Sequence, residues 1–134
     1  MNIGIPKEIK PFEGRVGLSP KACVELLTKG HSVFIEHDAG VLSGFTDEDY
    51  SQAGITVCST AKQLYGQCEL IVKVKEPVGA DLDYLTAKHT LFCFLHLAAN
   101  RELAAKLAAI GLTAIAFESV SENNRLVILK PMSE

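Results

Sequence analysis

Residues 32–77 read SVFIEHDAGVLSGFTDEDYSQAGITVCSTAKQLYGQCELIVKVKEP, and this stretch decides the fold. Apolar runs rich in Val and Ile, the composition of buried strands, alternate in it with polar segments of helical character. The runs predict strands over 32–36, 55–58 and 70–75, and the segments between them predict helices that begin at Thr46 and Thr60. Strand–helix alternation of this kind predicts a mostly parallel sheet that is covered on both faces.

The same alternation extends to both ends of the chain, with further strands predicted over 2–6, 90–95 and 113–117. Helices are predicted after Ser19-Pro20, a capping serine before a first-turn proline, and after Asn100. The 134 residues suit one domain. We therefore predict a doubly wound, open α/β sheet of flavodoxin-like or Rossmann-like type, with an irregular link between the fourth and fifth strands. Pro131 to Glu134 indicate the entry to another helix, as at the edge of a fragment, or else a frayed tail.

Composition excludes several classes of function. The chain has 13 basic and 16 acidic residues and no basic run, so nucleic acid and membrane surfaces are not expected partners. It has neither a secretory signal pattern nor a long apolar run, and the protein is predicted to be cytoplasmic. Four cysteines stand in no Cys-x-x-Cys pair and predict small buried hydrophobes rather than metal ligands or disulfides: Cys23, Cys58, Cys68 and Cys93.

Sites in parallel α/β sheets form beyond the carboxyl ends of the strands. Arg15 lies in the polar loop after the first strand, Lys73 and Lys75 end the fourth, and His96 ends the fifth. A guanidinium can grip a carboxylate, an amine can polarise a carbonyl, and an imidazole can exchange protons near neutral pH. Such a set suits a small keto or amino acid. Each residue alone also fits a solvated surface group, and either lysine could reach water from the strand end.

The three other histidines, His31, His37 and His89, have nothing comparable around them and are predicted to be surface residues. The chain contains no Gly-x-Gly, and therefore none of the Gly-rich fingerprints that cradle a nucleotide pyrophosphate. On its own, the chain is not expected to hold NAD in the usual way.

Several motifs together resemble one family. Ile3-Gly4-Ile5-Pro6-Lys7-Glu8 and Arg15-Val16-Gly17-Leu18-Ser19-Pro20 are similar to alanine dehydrogenases and to the related proton-translocating transhydrogenase alpha chains. Lys73-Val74-Lys75-Glu76-Pro77 and Phe94-Leu95-His96-Leu97-Ala98 are closer to alanine dehydrogenases. Pro131-Met132-Ser133-Glu134 resembles the family's entry into its interdomain helix, so the resemblance covers essentially the whole chain.

The resemblance implies the N-terminal, substrate-binding domain of an enzyme that interconverts L-alanine and pyruvate with ammonia, using NAD. It implies that Arg15 binds the substrate carboxylate, that Lys75 contacts the substrate carbonyl and carboxylate, that His96 transfers protons, and that Met132 lies near the substrate. It also implies a homo-oligomer, a hexamer in the family. The family's nucleotide-binding domain and the C-terminal return to the first domain are not in these 134 residues, which predicts uncovered hydrophobic surface. Two alternatives remain: the saccharopine dehydrogenase group, and a stand-alone binding or regulatory module.

Overall fold

The computed structural model of the protein describes residues 1–117, 121–122 and 125–126. Its main sheet has six strands, all parallel: β1 (Asn2–Ile5), β2 (Ser32–Glu36), β3 (Thr56–Cys58), β4 (Leu70–Val72), β5 (Thr90–Cys93) and β6 (Thr113–Ala116). Two further strands, β7 (Ser121–Glu122) and β8 (Arg125–Leu126), form a small antiparallel ribbon that the sequence did not predict.

Five helices connect the strands of the main sheet: α1 (Pro20–Thr28), α2 (Asp47–Gln52), α3 (Ala61–Gln67), α4 (Ala80–Tyr84) and α5 (Arg101–Ile110). The four starts that the sequence predicted, those of α1, α2, α3 and α5, are confirmed. The Ser19 hydroxyl accepts a hydrogen bond from the Ala22 amide at 3.2 Å, and the Asn100 side chain accepts one from the Leu103 amide at 3.0 Å. These caps satisfy amides that the first helical turn leaves without a partner.

The link between β4 and β5 contains α4 and is less irregular than predicted. Five residues are too few to show a helical period, so the sequence gave little signal there. The strands also end earlier than predicted, β4 at Val72 rather than Lys75 and β5 at Cys93 rather than Leu95. In β4 the cause is visible, because the Val74 and Lys75 amides donate to the Glu8 carboxylate.

The strand order is β3-β2-β1-β4-β5-β6, the Rossmann order rather than the flavodoxin order. The chain winds outward from β1 in one direction and then from β4 in the other, so the topological switch point lies between β1 and β4. Two apolar clusters hold the layers together. One joins α1 and α2 to β1 and β2 through Cys23, Tyr50 and Ile35, and the other joins α3 and α5 to β4 and β5.

The prediction for the cysteines is confirmed, since all four are buried free thiols. The prediction that His89 is a surface residue was wrong. His89 is 5% exposed, its Nδ1 accepts a hydrogen bond from the Thr86 amide at 2.9 Å, and its Nε2 lies 2.7 Å from the Tyr65 carbonyl oxygen. His37 is exposed and His31 is partly buried. Among the helices in the described part of the chain, none is long and apolar enough to cross a membrane.

Candidate functional site

Three loops meet at the carboxyl edge of the sheet, the edge at which the strands end. They follow β1, β4 and β5, which are neighbours in the sheet, and they carry Arg15, Lys75 and His96 respectively. Because the switch point lies between β1 and β4, the loops after these two strands diverge and leave a crevice. The topology therefore brings the loops of all three candidate residues to the place where doubly wound proteins bind ligands.

The side chain of Glu8 organises this edge. It is 2% exposed, and its two carboxylate oxygens accept hydrogen bonds from the Val74 amide at 3.0 Å and the Lys75 amide at 3.1 Å. The ammonium of Lys73 donates to the same carboxylate at 3.3 Å. One buried acid thus holds the loop after β1 to the backbone that carries Lys75.

The sequence allowed the Lys73 side chain to reach water from the strand end, but in the structure it does not. Its side chain is 1% exposed, and its Nζ lies 3.3 Å from Glu8 and 3.6 Å from Asp81. Asp81 also accepts a hydrogen bond from the Tyr65 hydroxyl at 3.2 Å. A buried ammonium requires such paired carboxylates, because desolvation of an unpaired charge is very costly.

Lys75 and His96 both contact the ring of Phe94. The Lys75 Nζ is 5.5 Å from the centroid of the Phe94 ring, within the range of a cation–π interaction. The His96 ring packs edge-on against the same ring, with centroids 3.9 Å apart. His96 is exposed, and its backbone is left-handed, with φ 53° and ψ 36°. The candidate amine and the candidate imidazole thus share one aromatic neighbour, Phe94.

Arg15 is held by Glu13. The carboxylate of Glu13 accepts from the Arg15 Nε and Nη2, each at 2.9 Å, and from the Arg15 amide at 2.9 Å. These hydrogen bonds lower the pKa of the Glu13 carboxyl, although burial opposes them, and they raise the pKa of Arg15. The side chain of Glu13 is 6% exposed and that of Arg15 is 48% exposed. The cation thus presents its outer part to solvent.

A cleft of about 190 Å³ opens beside this pair. Its volume suits a molecule smaller than the drug-sized ligands that fill typical pockets. The residues around it come from the loops after β1 and β2 and include Lys7, Glu8, Glu13, Arg15 and Asp38. Lys75 and His96 are outside this lining. Glu13 interacts with both cations, since it binds the Arg15 guanidinium and the charge of Lys75 helps to lower its pKa.

A further acid lies close to the imidazole. Burial raises the pKa of Glu76, but the hydrogen bond from Lys10, the Glu76 backbone amide and the charge of Lys10 outweigh that effect, with a smaller contribution from His96, and the pKa is lowered overall. The Glu76 carboxylate is paired with the Lys10 ammonium. The Lys-Glu-Pro turn after β4 therefore carries an ionised carboxylate into the surroundings of His96.

Sequence reasoning missed Glu8, Glu13 and Phe94 as parts of this edge, and it did not predict that Lys73 is buried. Their signal was their position immediately after β1, β4 and β5, where Arg15, Lys75 and His96 were found. What the sequence did not show was which of them would be buried. Met132, the fourth predicted site residue, lies outside the described residues, as does the predicted helix entry at 131–134.

His37, Asp38 and Asp47 place one ligand atom each within 4.8 Å of one another. Local structure accounts for this cluster, because Asp47 begins α2 and accepts a hydrogen bond from the Asp38 amide at 2.9 Å. The donors are mostly exposed to water, and we assign no metal to them.

A dinucleotide does not fit the first strand–helix connection. In Rossmann proteins a tight Gly-rich turn brings the pyrophosphate against the helix N-terminus. Here residues 6–19 separate β1 from α1, and acidic side chains such as Glu8 and Glu13 occupy that loop. The Rossmann strand order is therefore present without the Rossmann pyrophosphate site.

Fold and edge together define a doubly wound α/β domain that has a small cleft lined by charged side chains beside Arg15 and no dinucleotide turn at its first strand–helix connection. The chain belongs to the alanine dehydrogenase/PNT N-terminal domain family, which matches residues 4–134. It is 46% identical over 134 residues to an alanine dehydrogenase of Bacillus subtilis (strain 168) and 42% identical over 135 residues to one of Mycolicibacterium smegmatis. These matches take in 100% of this chain but only 35% and 36% of the two relatives.

Solved structures agree. An L-alanine dehydrogenase superposes with a TM-score of 0.95 at 51% identity, over 99% of this chain and 37% of that one. A transhydrogenase from Sinorhizobium meliloti superposes with a TM-score of 0.82 at 30% identity, over 88% of this chain and 34% of that one. The expected fold and family are confirmed, and the higher identity to the alanine dehydrogenase agrees with the motifs at Lys75 and His96.

Proposed function

We propose that this chain is the substrate-binding part of an NAD-dependent L-alanine dehydrogenase, an oxidoreductase that acts on the CH–NH2 group of L-alanine. The observation that carries the proposal is the convergence of the Arg15, Lys75 and His96 loops at the β1–β4–β5 edge. Alanine dehydrogenases are also the relatives that match the whole chain. NAD is assigned to the remainder of such an enzyme, because no Gly-rich turn in this chain fits it.

The side chains suit distinct tasks in such a reaction. The half-exposed Arg15 guanidinium would bind the carboxylate of alanine or pyruvate. Lys75, partly exposed beside the Phe94 ring, would donate to the carbonyl oxygen as negative charge develops there. Loss of hydride from the Cα of alanine would give an iminium, to which water adds to form a carbinolamine. His96 would take a proton from that water and later return it as the carbinolamine collapses to pyruvate and ammonia. NAD bound elsewhere would supply the hydride chemistry.

Exposed apolar side chains border this edge. Phe12 is fully exposed, and Ile9, Val41 and Leu42 are 47%, 47% and 78% exposed. Val41 and Leu42 also line the cleft beside Arg15. Such a surface is typical of an interface. We propose that the rest of the enzyme covers it, that Met132 lies near the substrate, and that the enzyme is a homo-oligomer.

The direct test is a titration of pyruvate into the 134-residue chain, followed by amide and side-chain NMR. We expect shifts clustered at Arg15, Lys75 and His96, and we expect Arg15→Met to weaken binding at least about tenfold through loss of a charged, bidentate contact. Shifts at this edge with no turnover in any longer form would favour a stand-alone keto-acid-binding module. A folded chain that does not respond to pyruvate would mean that this crevice is not a substrate site by itself.

Turnover tests the role of the imidazole. In the complete enzyme, His96→Ala should lose most alanine oxidation, about a hundredfold or more for a proton-transfer group, and should still bind NAD. His37→Ala is the matched control, since it removes an exposed imidazole outside the crevice. Equal turnover of the two variants would contradict the role assigned to His96.

A further inference from the structure

Arg15 already binds a carboxylate that belongs to the chain itself. Glu13 engages the Nε and Nη2 of the guanidinium in two parallel hydrogen bonds of 2.9 Å. This is the bidentate geometry that a substrate carboxylate would adopt on the same side chain. Glu13 lies only two positions away in sequence, so little loop-closure entropy opposes the pairing.

Glu13 also lies near the second cation of the site. Lys75 lowers the pKa of Glu13, although less than Arg15 does, and Glu13 lines the same cleft as Arg15. Of the other two acids of the cleft, Glu8 is engaged by Lys73 and two backbone amides, and Asp38 is paired with His37. Glu13 is therefore the acid that is paired with Arg15, the cation to which the proposed function assigns the substrate carboxylate.

We propose that Glu13 is an internal competitor of the substrate carboxylate for Arg15 and that it limits the affinity of the site for keto acids. The inference rests on the proposed function, because it requires Arg15 to be the carboxylate-binding residue. A ligand either displaces Glu13 from the Nε and Nη2 edge or binds the outer edge of a guanidinium whose charge Glu13 already neutralises. In both arrangements, removal of the Glu13 charge strengthens the binding of pyruvate.

A merely structural role for Glu13 predicts the opposite change in pyruvate affinity. If Glu13 served only to orient the guanidinium, its loss would free Arg15 to move and would weaken binding. The competitor predicts a gain of affinity, which damage to the fold does not produce. The sign of the change thus separates the two roles.

The experiment measures pyruvate dissociation constants by NMR titration for the wild-type chain, Glu13→Gln and Glu13→Ala. We expect about fivefold tighter binding in both variants, the fold-change that corresponds to about 1 kcal/mol for a half-exposed ion pair. The Arg15 Nε–Hε resonance should move on addition of pyruvate. Asp38→Asn is the matched control, since Asp38 lines the same cleft but is paired with His37 at 3.1 Å. Its affinity gain should stay below about twofold, the effect of an exposed charge.

Arg15→Met separates failure of this inference from failure of the proposed function. If wild-type binding depends on Arg15 and Glu13→Gln binds equally or more weakly, the competitor role is wrong and the site stands. If Arg15→Met binds pyruvate as well as the wild type, or if no variant binds it, the assignment of Arg15 and the role of Glu13 are both wrong. Binding that appears only in the Glu13 variants supports the competitor.

Discussion

Two ion pairs at the carboxyl edge of the sheet have similar chemistry and opposite surroundings. The side chains of Lys73 and Glu8 are 1% and 2% exposed, and their charged atoms lie 3.3 Å apart. Arg15 is 48% exposed and binds Glu13 at 2.9 Å. The first pair is sealed within the sheet and fixes the backbone at Val74 and Lys75, whereas the second leaves its cation open to solvent. The enclosed pair supports the fold, and the open surface of Arg15 is what the proposed carboxylate-binding role requires.

Removal of the buried cation should give the largest effect. Lys73→Met leaves the Glu8 and Asp81 carboxylates buried without their counter-charge, which should lower the free energy of unfolding by about 3–5 kcal/mol. Lys75→Met is the matched control. Its ammonium is only partly buried and contacts the Phe94 ring, so we expect a loss of at most about 1 kcal/mol. Chemical denaturation measures both, and losses of similar size would show that the buried pair is not special.

Replacement of the acid of each pair, Glu8 or Glu13, by glutamine should have an intermediate effect on the free energy of unfolding. Glu8→Gln weakens the acceptor of one ammonium and two amides in a buried place, and should lower the free energy of unfolding by about 2–3 kcal/mol. Glu13→Gln should lower it by less than about 1 kcal/mol, because the exposed Arg15 can be hydrated instead. Denaturation midpoints in urea check the order. A Glu13 variant that is the less stable of the two would reverse the comparison.

The smallest expected effect concerns a third ion pair, between His37 and Asp47, in which the His37 side chain is exposed. A hydrogen bond that His37 donates to the Asp47 carboxylate raises the pKa of His37 in the folded chain. A raised pKa means that the pair stabilises the fold fully below the pKa of the unfolded chain, and that this contribution disappears as pH rises through the folded-state value. Thermal unfolding should therefore show a slightly lower Tm as the pH rises past the pKa of His37 in the folded chain. Asp47→Asn should flatten that dependence, and an equal slope in the variant would contradict it.

Short-range signals predicted this fold well. Helix starts are marked by local caps: the hydroxyl of Ser19, the capping box of Thr46 with Asp49, and the side chain of Asn100. Each cap satisfies an amide three positions or fewer away, so the helix starts can be predicted from neighbouring residues. The alternation of strands and helices likewise predicted the parallel sheet. The rule that sites form beyond the carboxyl ends of parallel strands predicted that Arg15, Lys75 and His96 would come together at one edge of the sheet.

Long-range burial was not predictable in the same way. Lys73 and Lys75 look alike in sequence, but only the Lys73 ammonium is paired with buried carboxylates, those of Asp81 and of Glu8, which is 65 positions away. His89 looks like a surface residue in a turn, yet its partner is the Tyr65 carbonyl, 24 positions away. A buried polar residue is defined by the partners that satisfy it, and those partners are distant in sequence.

The left-handed backbone of His96 has two companions, and all three follow strands at the carboxyl edge. Among the described residues, Phe12 after β1, Asp38 after β2 and His96 after β5 are the non-glycine residues with positive φ, at 66°, 62° and 53°. Each costs on the order of 1–2 kcal/mol, a strain that glycine would relieve. Attempts to raise the melting temperature of this domain would therefore select substitutions at this edge. At His96 the gain in heat tolerance would remove the imidazole itself.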